Sequence, residues 1–239
     1  MSRAPLLLLA AAAIASGLSV AVVHAASLNV GSQALTPYRT CTLLATPSTT
    51  TSVIDASVRQ GSASSAFGTQ TTNNVASSSG GNRRLYLKFD LTACSPAIPS
   101  TAVIRTATLR NYLTAIPSAV CRTVDIFRVT ATWAEGTITW NNQPFGTTIN
   151  NPASGTATDT FAVGSAAGCG NLSTGAYTTG ALVTSDVTTF LGAPATNFGW
   201  MLRDGTEGSA TAYTSTMSAK ELGTAAQAPE LVVTYVLVV

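Results

Sequence analysis

The sequence predicts an all-β protein, a two-sheet antiparallel jelly-roll β-sandwich with at most one short helix. Three observations lead there. About ten short segments alternate apolar with polar residues or run rich in Val, Ile, Thr and aromatics, as half-buried strands do. Clusters of Gly, Pro, Asn and Ser punctuate them roughly every ten residues. Helical periodicity is confined to residues 185–191, with Ser185 or Asp186 as cap and Gly192 and Pro194 as the stop.

Residues 1–25 read as a signal peptide. Arg3 gives a positive start, residues 5–23 are apolar, and Val23, His24, Ala25 and Ala26 suit signal peptidase. No later run is comparably apolar, so the exported protein is expected to be secreted, with no membrane segment. Residues 26–47 form an extended lead-in containing Pro37 and Pro47, and residues 48–239 form the domain. Its predicted strands are 53–58, 73–77, 83–91, 103–113 and 121–130, then 158–163, 178–183, 197–203, 211–218 and 231–239. A turn with a short strand is expected over residues 132–140.

The stretch 83–91 is the clearest strand. Leu85, Leu87 and Phe89 alternate with Arg84, Tyr86, Lys88 and Asp90, so one face is expected in the core and the other in water. Arg110 and Tyr112 alternate in the same way on the next long strand. Arg84, Tyr86, Lys88, Arg110 and Tyr112 are the candidate ligand-binding residues. Cationic groups suit the carboxylates of a uronate polymer, and aromatic planes suit sugar faces. Trp200 reads as core, and Trp133 and Trp140 as packing for the base of a turn.

Composition limits the chemistry. Charged residues make up 9% of the chain, against ~25% in a typical soluble domain, and the net charge is +2, with no basic cluster for nucleic acid. Cys41, Cys94, Cys121 and Cys169 lie beyond the leader, an even number in an exported chain, and are expected to form two disulfides. Their spacing lacks C-x-x-C, so no zinc site is assigned. Three pairings are open; Cys41 with Cys94 and Cys121 with Cys169 is the one preferred. The single histidine, His24, belongs to the leader, which removes His-dependent nucleophilic catalysis. Asp204 and Glu207 read as a turn, and Glu135 as a hairpin residue bonded to backbone amides, rather than as glycosidase carboxylates. Asp55, Asp90 or Asp186 with backbone carbonyls offers oxygen ligands for a structural calcium, but no acidic cluster is present, and no cofactor is assigned.

In order, the motifs also resemble a known family. They are Asp55 to Arg59, Phe67-Gly68-Thr69, Arg83 to Leu91, Ala107 to Arg110, and Phe127 to Thr130 with Trp133 and Glu135. Thr139 to Pro144, Asp186-Val187-Thr188, Asn197 to Arg203, Ser218 to Glu221 and Pro229 to Tyr235 follow. The set resembles the DNRLRE domain, which is similar to the alginate-binding carbohydrate-binding modules of a family 96-like type. The resemblance spans residues 53–235 and implies an extracellular jelly roll of the kind found beside polysaccharide-degrading enzymes. The four cysteines depart from that pattern, and the expectation that no catalytic domain is attached is a second departure. The expected function is non-catalytic recognition of an extracellular polysaccharide. The alternatives are a structural or adhesive surface protein contacting other proteins and, third, a glycoside-active enzyme. Oligomeric state is left open.

Overall fold

The computed structural model describes residues 37–44, 52–151 and 154–238. The signal peptide expected over 1–25 and most of the lead-in lie outside the described residues. In chain order the strands are β1 (Arg39–Leu44), β2 (Val53–Arg59), β3 (Thr72–Ser77), β4 (Arg83–Phe89), β5 (Val103–Arg110), β6 (Tyr112–Ala115) and β7 (Arg122–Arg128). After an irregular excursion come β8 (Asp159–Val163), β9 (Ala176–Tyr177), β10 (Ala181–Leu182) and helix α1 (Thr184–Gly192). The chain closes with β11 (Trp200–Asp204), β12 (Tyr213–Ser218) and β13 (Glu230–Val236).

The strands form the expected two-sheet antiparallel sandwich. One sheet has the order β1-β13-β5-β10. The other runs β8-β7-β11-β4-β3-β12-β6-β9, with β2 also paired to β4. Leu85, Leu87 and Phe89 of β4 point into the space between the sheets. There they pack with Trp200 and Leu202 of β11, Leu109 of β5 and Leu231 and Val233 of β13. Each such side chain contributes roughly 1.5–3 kcal/mol by leaving water. Helix α1 closes one side of this core through Val187 and Phe190, whose ring meets Trp200 edge-on at 5.4 Å. Its expected side-chain cap is absent, since neither Ser185 nor Asp186 caps the first turn. The Asp186 carboxylate instead accepts from Trp200 Nε1 and Thr158 Oγ1, both at 2.8 Å. Disulfides join Cys41 to Cys94 and Cys121 to Cys169, the preferred pairing.

Two departures from the sequence reading shape the rest of the molecule. The long strand expected over 103–113 breaks at Asn111, so β5 lies in the smaller sheet and β6 in the larger. Thr178 causes the break: its N–H donates to the Asn111 carbonyl at 2.9 Å, and its Oγ1 accepts the Asn111 N–H at 3.3 Å. These bonds occupy both backbone groups of Asn111.

The second departure concerns the outer face of β4. Between β7 and β8 the chain forms no strand at residues 132–140. Local bonds close it into turns, including Ile138 N–H to Ala134 O and Thr139 N–H to Asn142 Oδ1. This excursion lies across the large sheet. Ile138 and Trp140 pack there with Ala56, Val58, Tyr86, Phe127, Val129 and Met201 in a second apolar cluster. Trp133 adds its ring edge-on to Tyr86 at 5.6 Å, and its Nε1 donates to Phe198 O.

The face of Arg84 and Tyr86 expected in water is therefore buried. All five guanidinium N–H groups of Arg84 are used. Nε and Nη2 donate to the Glu207 carboxylate at 2.7 and 2.9 Å, Nη1 to Gln143 Oε1 and Gly146 O, and Nη2 also to Thr148 O. Neither side chain of this ion pair has exposed surface. Removing one partner from such a pair leaves a charge stranded in the core, at a cost of roughly 3–5 kcal/mol. Arg84→Ala should lose stability on that scale, whereas Lys88→Ala, at a half-buried site, should lose well under ~1 kcal/mol. Urea denaturation of both variants checks this; equal midpoints would rule out the clamp.

Candidate functional site

The five predicted residues do not share one face. Arg84 and Tyr86 are buried, and the Tyr86 hydroxyl donates to Gln143 Oε1 at 3.1 Å. Lys88 is half-buried beside a shallow cleft of 220 Å³ lined by Ser52, Ile54, Asp90 and Asn197. Gly199 makes the close approach of β11 to β4 possible here. Its φ is +74°, and a Cβ there would stand 2.2 Å from Leu87 O.

Arg110 and Tyr112 do come together, and the fold adds two partners that the sequence reading missed. Tyr112 lies opposite Tyr177 in the β6–β9 register, with the rings 5.4 Å apart and nearly perpendicular. The Arg110 guanidinium sits 5.2 Å from the Tyr177 ring centroid. Glu230, directly across from Arg110 in the β5–β13 register, forms an ion pair with it. Burial first, then the Glu230 charge, pushes the Tyr177 hydroxyl up to about 12; that hydroxyl donates to Ala228 O at 2.8 Å. Gly180, with φ +93°, lets the chain pass over this group, since a Cβ would stand 2.4 Å from Thr108 Cγ2 and 3.1 Å from Arg110 Cγ. The cluster thus offers two aromatic rings, an oriented guanidinium that is 38% exposed, and a carboxylate. Tyr177 sits in a short polar segment, and only the cross-strand register reveals its partnership with Tyr112.

The carboxylates weighed for hydrolysis are engaged in structure. Asp204 takes two bonds from Arg122, at 2.5 and 3.0 Å, and Glu207 serves Arg84. Glu135 accepts the Asp55 N–H at 2.8 Å, a bond to a backbone amide as its sequence setting suggested. Of the three aspartates considered for calcium, Asp90 caps Thr92 and Asp186 serves Trp200. Asp55 lies with Glu135 and Glu221, each offering a carboxylate oxygen within 4.8 Å of the others. The Lys220 ammonium pairs with both glutamates and supplies the counter-charge a cation would bring.

The model of carbohydrate-binding module family 96 matches residues 46–166, just over half of the chain. The chain belongs to carbohydrate-binding module family 96. No curated protein matches it. The family 96 match runs from β2 through β8 and includes all five predicted residues and the covering excursion; Tyr177 and Glu230 lie beyond it. No helix among the described residues is long and apolar enough to cross a membrane.

The Asp55 group gives this family 96 domain a pH dependence. Burial pushes the Asp55 carboxyl up to about 7; its acceptance of the Lys220 N–H offsets part of this, and Glu221 adds repulsion. The folded protein holds this proton more tightly than the unfolded chain, whose aspartate titrates near 3.8. The stabilisation is complete below pH ~4 and disappears as pH rises through 7. Thermal melts should therefore show a falling midpoint between pH 4 and 7, worth at most a few kcal/mol at ~1.4 kcal/mol per pH unit. Asp55→Asn should flatten the curve in that interval, and an unchanged slope would exclude Asp55 as its source.

Proposed function

We propose that this family 96 module is a secreted, non-catalytic protein that binds an extracellular polysaccharide through the cluster of Arg110, Tyr112 and Tyr177. The observation that carries this reading is the convergence of two tyrosine rings and a partly exposed guanidinium where the chain passes from one sheet to the other. Aromatic rings give a sugar ring an apolar face to lie on, and a guanidinium binds carboxylates with directional, charge-assisted bonds. A uronate polymer is the ligand class that uses both, with its carboxylate competing against Glu230 for Arg110. Lys88 stands apart from this cluster and is not needed for it. The apolar leader and two disulfides support export to an oxidising environment. The resemblance to the DNRLRE domain belongs to the same reading. No cofactor is assigned; a structural calcium, if bound, would take the Asp55, Glu135 and Glu221 oxygens and displace Lys220.

Binding of this kind is sensitive to salt. The protein should be retained on calcium alginate gel at low salt and released at high salt. Arg110→Ala and Tyr177→Ala should each reduce retention at least about tenfold. Retention that is indifferent to both substitutions would place binding elsewhere, and no retention on alginate or on insoluble neutral polysaccharides would favour the protein-contacting alternative.

A further inference from the structure

A cavity of 360 Å³ takes no part in the cluster above. It lies where β7 begins and β11 ends, lined by Arg122, Thr123, Asp125, Asp204, Gly205 and Thr206, with Cys121 and its disulfide at the margin. Its donor is held firmly. Arg122 donates through Nε and Nη2 to the Asp204 carboxylate, and through Nη2 to Thr206 O at 2.9 Å, while its guanidinium lies 4.7 Å from the Tyr213 ring centroid. These bonds leave Nη1 uncommitted.

The acceptor is held in readiness. Asp125 is half-buried and accepts no hydrogen bond from the described residues; burial pushes its carboxyl up, and the charge of Arg203, directly across from it in the β7–β11 register, offsets only part of this. Gly205 leaves that carboxylate open, since a Cβ there would stand 3.3 Å from Asp125 Oδ1 and 3.4 Å from Thr123 Cβ. A half-buried carboxylate without a donor is costly unless something supplies one.

From this geometry we infer a second sugar-binding pocket, specific for a neutral pyranose ring. Arg122 and Arg203, the latter directly across from Asp125, balance the charges of Asp125 and Asp204, so no cation is in excess to hold a uronate carboxylate and uncharged hydroxyls are the matching partners. Hydroxyls on opposite sides of one ring can donate to Asp125 and accept from Arg122 Nη1, with Thr123 and Thr206 between them. The inference rests on the carbohydrate-binding reading but not on the Arg110 cluster.

The test is titration of the isotopically labelled protein with cellohexaose, mannohexaose and xylohexaose, with hexaguluronate as the anionic comparator. At least one neutral hexasaccharide should shift the backbone amides of Gly205 and Thr206, and hexaguluronate should not. Asp125→Ala should weaken that binding at least about tenfold, and Tyr177→Ala should leave it unchanged. Gly205→Ala, which puts a methyl group against Asp125, should weaken it as well, so a folding defect in either variant alone does not decide the matter. The pocket is overturned if no neutral hexasaccharide moves those amides, or if Asp125→Ala and Gly205→Ala both bind as the parent does. Shifts confined to Arg110, Tyr112 and Tyr177 would also overturn it while leaving the carbohydrate-binding reading intact.

Discussion

The buried pair of Arg84 and Glu207 is the interaction on which the rest of the domain depends. Two opposite charges leave water together, and the fold can tolerate this only because every guanidinium N–H finds an acceptor. Three of those acceptors, Gln143 Oε1, Gly146 O and Thr148 O, belong to the excursion between β7 and β8. Glu207 is held in turn by Asn150, whose N–H donates to Oε2 and whose side chain bonds both backbone groups of Glu207. The ion pair thereby fixes where the excursion lies and which part of the large sheet it covers. Tyr86 and Trp140 then pack beneath it, and Gln143 ties them in by accepting from Tyr86 and donating to Trp140 O.

Burying β4 on both faces has a functional corollary. A strand with the polar alternation of a recognition surface becomes scaffold, and the groups free to meet a ligand are displaced to places where the sheets end or exchange chain. Arg110 and Tyr112 sit where β5 of one sheet gives way to β6 of the other, and Arg122 sits at the start of β7 with Asp125 farther along it. In both places a glycine removes a side chain that would otherwise obstruct the group, Gly180 in the first and Gly205 in the second.

The inner half of the fold was legible in the sequence because period-2 alternation reports directly which side chains leave water. Leu85, Leu87 and Phe89 lie where that pattern puts them, and the helix and most strands fall within a few residues of their predicted limits. The outer half was not legible, for a definite reason. Alternation separates apolar from polar, but a polar residue is wet only if nothing covers it, and Arg84 finds its partner 123 residues away in a segment that reads as a simple turn. The break at Asn111 was hidden in the same way, since it depends on Thr178, another distant residue. Of the candidate site, Arg110 and Tyr112 were visible as an alternating pair. Tyr177, Glu230 and Asp125 were not, because their meaning lies in cross-strand register.

The passage of the chain from β5 to β6 also has a mechanical consequence. Arg110 is fixed to the smaller sheet through its register with Glu230, and Tyr112 to the larger through Tyr177. A polymer gripping both residues loads the seam between the layers instead of a single hairpin. A pull along it is spread as shear over the neighbouring ladders, in which many hydrogen bonds must fail at once, so an attachment at this seam would resist tension better than one to either sheet alone.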